Sequence, residues 1–110
     1  MCQHQTLYYQ ENTGYVVKCQ TCDKIQVGFN VLSATFDRAG FQKFREQVVK
    51  THDGKQEGMN RSVKSILIPT PCEGLNLLLS VSELEILYKI LEEADNEMKA
   101  QELIKEFAAS

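Results

Sequence analysis

The sequence predicts an α+β domain with a mainly antiparallel sheet, its elements in the order βββαββαα. Three observations carry that reading. β-prone runs rich in Tyr, Val, Ile and Leu occur before residue 36 and again between residues 63 and 81. Asp37 and Ser82 stand where helix caps belong, each just ahead of apolar residues at helical spacing. Short turn motifs, ENTG and PTPCEG, join neighbouring strands.

The elements follow in order. TLYYQ and YVVKC flank ENTG, where Asn12 and Gly14 suit the positive φ of a short hairpin loop. With Gln10 facing Tyr15, the register pairs Leu7 with Lys18 and Thr6 with Cys19 and sets His4 opposite Thr21. Ile25, Val27, Phe29 and Val31 alternate with Gln26, Gly28 and Asn30, the period of a third strand with one buried face. Asp37 is the expected N-cap of the first helix, with Phe36 and Phe41 as its hydrophobic staple and Phe41, Phe44 and Val48 along its buried side. THDGKQEGMN then reads as a polar loop, with His52 solvated.

VKSILIP and LNLLLSV supply two more strands. In the second, Leu75, Leu77, Leu79 and Val81 share one face and Leu78 takes the other, which predicts a central strand covered on much of both sides. Ser82 to Glu85 reads as a capping box, stapled by Val81 and Ile86, and opens a helix carrying Leu84, Leu87, Tyr88 and Leu91 on one side. Ala100, Leu103, Ile104 and Phe107 repeat the helical spacing in a shifted phase. Either two helices meet at a turn near residues 94–96, the preferred reading, or one helix kinks there.

The chemistry gathers in the first 24 residues, MCQHQTLYYQENTGYVVKCQTCDK, which hold three of the four cysteines and one of the two histidines. Cys2 and His4 are two residues apart, so an extended segment sends both side chains to one face. Cys19-Gln-Thr-Cys22 has the gap of a metal knuckle, a tight turn that aims two thiolates inward. The hairpin brings these pairs to its open end. Cys2, His4, Cys19 and Cys22 therefore make a closed tetrahedral set for structural zinc, with iron as the alternative metal. Two features depart from the usual pattern: the first half is Cys-x-His, and Asp23 follows the knuckle where glycine is more common. Cys72, otherwise a turn residue, is the substitute ligand if His4 does not coordinate.

Composition narrows the function classes. The 110 residues, 43% hydrophobic and 25% charged, are ordinary for a globular chain able to bury a core. No apolar run approaches the roughly 20 residues of a membrane span, and no secretory signal opens the sequence, so the expected compartment is the cytoplasm, where clustered cysteines favour metal over disulfides. Residues 1–81 carry a balance of +2 and residues 82–110 one of −5. That acidic end works against a nucleic-acid backbone. A redox role for the Cys-x-x-Cys is disfavoured because a strand follows it, not the helix N-terminus that lowers a thiol pKa.

The hairpin, knuckle and following strand resemble a zinc ribbon. Cys2, His4, Gly14 to Cys22 and Ile25 to Asn30 are also similar to the opening of a small bacterial family of uncharacterised proteins, a resemblance that covers about the first third of the chain and implies no activity. Residues 1–110 then form one domain, with 1–35 the ribbon-like hairpin plus third strand and 36–110 the helix, second hairpin and C-terminal helices. No phosphate loop, nucleophile–base pair or open metal site is recognisable, so the first functional reading is a non-enzymatic, zinc-stabilised adaptor. Its partner is another protein or a second copy gripped by the C-terminal helices. The alternatives are a nucleic-acid-binding ribbon using Tyr8, Tyr9 and Tyr15 with Lys18 and Lys24, and a metalloenzyme or thiol redox protein with His4 displaced by water.

Overall fold

The structure, a computed structural model, describes residues 3–54 and 60–109. Its elements are β1 (His4–Gln10), β2 (Gly14–Cys19), β3 (Ile25–Phe29), β4 (Leu32–Phe36), α1 (Arg38–Asp53), β5 (Ile66–Pro69), β6 (Asn76–Leu79) and α2 (Val81–Ala109). The fold is α+β. β1 to β4 form an antiparallel meander in sequential order, and β5 pairs with β6 in a separate antiparallel sheet. One hydrophobic cluster draws on both sheets and both helices, with Val16, Ile25, Phe41, Ile68, Leu87 and Ile90 among its most enclosed members.

The first hairpin differs from its predicted register. Gln10 pairs with Gly14, Tyr9 with Tyr15 and Tyr8 with Val16, after which a bulge at Leu7 moves Thr6 opposite Val17 and His4 opposite Cys19. The extra residue lets both Leu7 and Tyr8 turn toward the core. Asn12 has the expected positive φ of 62°, whereas Gly14 belongs to the strand and serves a close approach. A Cβ on Gly14 would stand 2.5 Å from the Gly28 carbonyl oxygen.

The predicted third strand is instead a second hairpin. Asn30 takes φ 53° and Val31 sits fully exposed at the tip, so the chain reverses into β4 rather than continuing the alternation. β6 is likewise not central. Leu77 and Leu79 are buried while Leu78 and its cross-strand neighbour Leu67 are 53% and 62% exposed, the pattern of a ribbon covered on one face.

Asp37 caps α1 as expected, with Oδ1 accepting from the Gly40 N–H at 2.7 Å, and Phe41, Phe44 and Val48 are the buried face. Phe36 stacks on Phe44 (5.1 Å between centroids), and both staple residues, Phe36 and Phe41, are buried in the core. His52 is in the last turn of α1 rather than a loop. Its ring lies flat on Tyr88 at 3.7 Å. The middle of the predicted 51–60 loop falls outside the described residues.

α2 begins two residues earlier than predicted. The box is Ser80 with Glu83: Ser80 Oγ accepts from the Glu83 N–H (3.2 Å) and the Glu83 carboxylate accepts from the Ser80 N–H (3.0 Å). Leu79 and Leu84, both buried, occupy the staple positions. Lys64 also binds Glu83, and its hydrogen bond, with that of Ser80, holds the carboxyl below its ordinary pKa.

The two predicted C-terminal helices are one helix of 29 residues. The phase change marks a change of face, not a break. Leu84, Leu87, Leu91, Ala94 and Met98 form the buried stripe, and at 3.6 residues per turn Ala100, Leu103, Ile104 and Phe107 lie on roughly the opposite side. Asp95, at the predicted turn, is a clamp. Almost completely buried, it accepts from Gln42 (2.7 Å) and Lys99 (2.8 Å) and faces Arg45, which also grips Glu92 at 2.6 Å. Burial raises its pKa, but those donors and cations outweigh burial and hold the carboxyl below the ordinary aspartate range.

Candidate functional site

β2 ends at the cysteine knuckle. Alternation sends Lys18, beside Val16, to the core face and Cys19 to the other, where the following turn wraps it to 3% exposure. Three backbone contacts set the turn. The Cys19 N–H donates to the Lys24 carbonyl (2.8 Å), the Asp23 N–H to the Cys19 carbonyl (3.0 Å), and the Cys22 N–H to Cys19 Sγ (3.4 Å). Thr21 Oγ1 lies 3.2 Å from the same sulfur. The buried sulfur of Cys19 is thus met by one amide and one hydroxyl, contacts of the kind a metal-bound thiolate receives.

Asp23 explains its departure from glycine. It sits at φ 61°, the left-handed conformation glycine would take without strain, and its carboxylate is fixed by Lys18 at 3.0 Å. Aspartate tolerates this region better than most residues.

Of the four predicted ligands, the structure brings Cys19 and Cys22 into one turn and sets His4, exposed, directly across the ladder from Cys19. Cys2 lies outside the described residues. Among the described residues no group of three or more His, Cys, Asp or Glu is placed to hold an ion. Cys72 is exposed in the turn between β5 and β6, where its thiol reaches the Glu73 carbonyl at 3.9 Å.

The tyrosine set divides between faces. Tyr9 and Tyr15 pair on the outer face of the four-stranded sheet, with the Tyr15 ring lying over Gly28 and its hydroxyl accepting from Gln26 at 3.0 Å. Tyr8 packs against the core, and Lys18 is spent on Asp23 on that same side. Tyr9 and Tyr15 therefore do not share a face with Lys18.

The distal part of α2 is the other exposed feature. Leu103, Ile104 and Phe107 are 56%, 67% and 79% exposed, an apolar stripe on an otherwise charged helix. No described helix is long and apolar enough to cross a membrane.

These features define an α+β protein with a cysteine knuckle at one end of its main sheet and an apolar stripe on a long terminal helix. The chain belongs to a family of unknown function, DUF6686, whose model matches residues 1–107. Neither the curated proteins nor the solved structures contain a match.

Proposed function

We propose that the chain is a zinc-stabilised interaction module of the cytoplasm, without catalytic activity, that pairs through the distal part of α2. Cys2, His4, Cys19 and Cys22 hold the ion. The knuckle supports this reading: one tight turn holds Cys19 and Cys22 and aims the Cys22 N–H at Cys19 Sγ, a contact suited to a metal-bound thiolate. The bulge at Leu7 supports it further, since it moves His4 opposite Cys19. Cys72 stands in the other sheet's turn, which favours His4 as the fourth ligand. A ligand set of three thiolates and one imidazole leaves no open position, so the metal serves structure.

Pairing follows from the stripe on α2. Leu103 and Ile104 face away from the core stripe of their own helix, and a second copy covers them without disturbing the sheet. The test is metal analysis combined with sedimentation. Parent protein purified with zinc is expected to carry about one ion per chain and to sediment as a dimer, and Cys22→Ser to lose the metal. Parent protein free of zinc and iron after purification in their presence contradicts the metal, and a strictly monomeric species contradicts the pairing.

A further inference from the structure

The two sheets approach each other without joining. Among the described residues β4 is a free edge of the first and β6 of the second. Between them run two adjoining cavities of about 400 and 220 Å³, with Leu32 and Leu75 lining both. Val27, Phe44 and Leu87 of the core form the floor of the larger. Among the described residues the lining is neutral except for Lys64, which is tied to Glu83.

The β4 edge has backbone to offer. Phe29 and Leu32 close the β3–β4 hairpin across a two-residue loop, which makes them a hydrogen-bonded pair. Antiparallel alternation then turns the N–H and C=O groups of Ser33 and Thr35 away from β3, and both residues line the larger cavity. The wall opposite is the turn that carries Thr70, Pro71 and Cys72.

We propose that this slot receives an extended, uncharged segment of another protein, which adds to β4 as a strand and seats alternate apolar side chains on the floor. Two features select that occupant. A neutral apolar lining disfavours acidic, basic and nucleic-acid ligands, whose charges would be desolvated without a counter-charge. The outward N–H and C=O groups of Ser33 and Thr35 match the backbone of an extended peptide segment. The inference rests on the reading of the chain as an interaction module, and it is independent of the metal and of pairing through α2.

The probe is a displayed library of random linear peptides panned against the full chain, followed by amide NMR with the best synthetic binder. Enriched sequences should alternate apolar residues and carry no charge in the alternating stretch, and the Ser33 and Thr35 amides should shift and become protected from exchange. Ser33→Pro removes an N–H that β3 does not use, and Leu75→Glu places a charge in the shared wall; each should weaken the peptide about tenfold with the far-ultraviolet spectrum unchanged. Leu75→Glu decides alone if Ser33→Pro unfolds. Failure to enrich any peptide, or shifts confined to residues away from β4 and β6, overturns the slot. A chain that holds zinc and dimerises yet enriches no peptide overturns the slot alone.

Discussion

At the level of single residues, the contacts that matter are polar groups placed where water is excluded. Asp95 is held by Gln42, Lys99 and Arg45 across the α1–α2 junction, so Asp95→Ala should lower stability by about 2 kcal/mol in urea unfolding. The figure stays below that of a fully buried pair because Lys99 remains 62% exposed. Asp95 and Glu83 both have folded pKa values below their unfolded ones. Their contribution is present above the unfolded values near 4 and is lost as pH falls through the folded ones. The urea midpoint should therefore drop between about pH 5 and pH 3, and Asp95→Asn should flatten that dependence. The capping residues give a sharper contrast. Ser80→Ala should cost about 1 kcal/mol while Ser82→Ala changes stability by less than about 0.5 kcal/mol. The sequence offers two overlapping capping boxes, Ser80 to Glu83 and Ser82 to Glu85, and local pattern cannot choose between them. Tertiary contacts decide: Lys64 engages Glu83, whereas Glu85 is drawn to Arg61.

At the level of elements, a hairpin lies where a glycine lets two strands meet. Gly14→Ala would press a methyl group against the Gly28 carbonyl and the Ile90 side chain, whereas Gly28→Ala meets the Tyr15 ring, which can swing aside. Gly14→Ala should cost about 2–3 kcal/mol and Gly28→Ala less, as read from paired thermal melts. Element types were legible because alternation and helical spacing report burial directly: the buried faces of α1 and the first half of α2 follow from spacing alone. Register was not. A bulge at Leu7 leaves no mark in an apolar run, and Val31 continues the alternation of β3 although the backbone turns at Asn30. The same ambiguity hid the free edge of β4. The phase change in α2 was visible and suggested a break, because a rotation of the apolar face and a turn produce one sequence pattern.

For the whole molecule, the body and its extremities answer to different forces. The continuous core holds both sheets and helices, while the distal part of α2 extends its apolar stripe into solvent. Leu103→Glu combined with Ile104→Glu should abolish dimerisation in sedimentation and leave the thermal midpoint of the dilute protein within a few degrees, since neither residue joins the core. The proposed metal would sit near that stripe, since Gln20 and Asp23 of the cysteine turn line one cavity with Met98, Ile104 and Lys105 of α2. Loss of a closed zinc site removes free energy on the order of 10 kcal/mol from the first hairpin in small zinc peptides, so metal removal should expose β1 and β2 amides to exchange before those of α1. Near the proposed centre, the tight turn from Cys19 to Cys22 was legible from their spacing. His4 was placed opposite Thr21, two residues from its true neighbour Cys19: one residue from the ladder starting at Gly14 and one from the bulge.

The central claim is that three sulfurs and one imidazole close on a metal at the end of β2. Zinc-edge X-ray absorption of zinc-loaded protein tests it most directly. The expected spectrum fits three sulfurs at about 2.3 Å and one nitrogen at about 2.0–2.1 Å, with the nitrogen shell changed by His4→Ala and unchanged by Cys72→Ser. A shell of oxygen and nitrogen without sulfur, or a spectrum that neither Cys19→Ser nor Cys22→Ser alters, would contradict it.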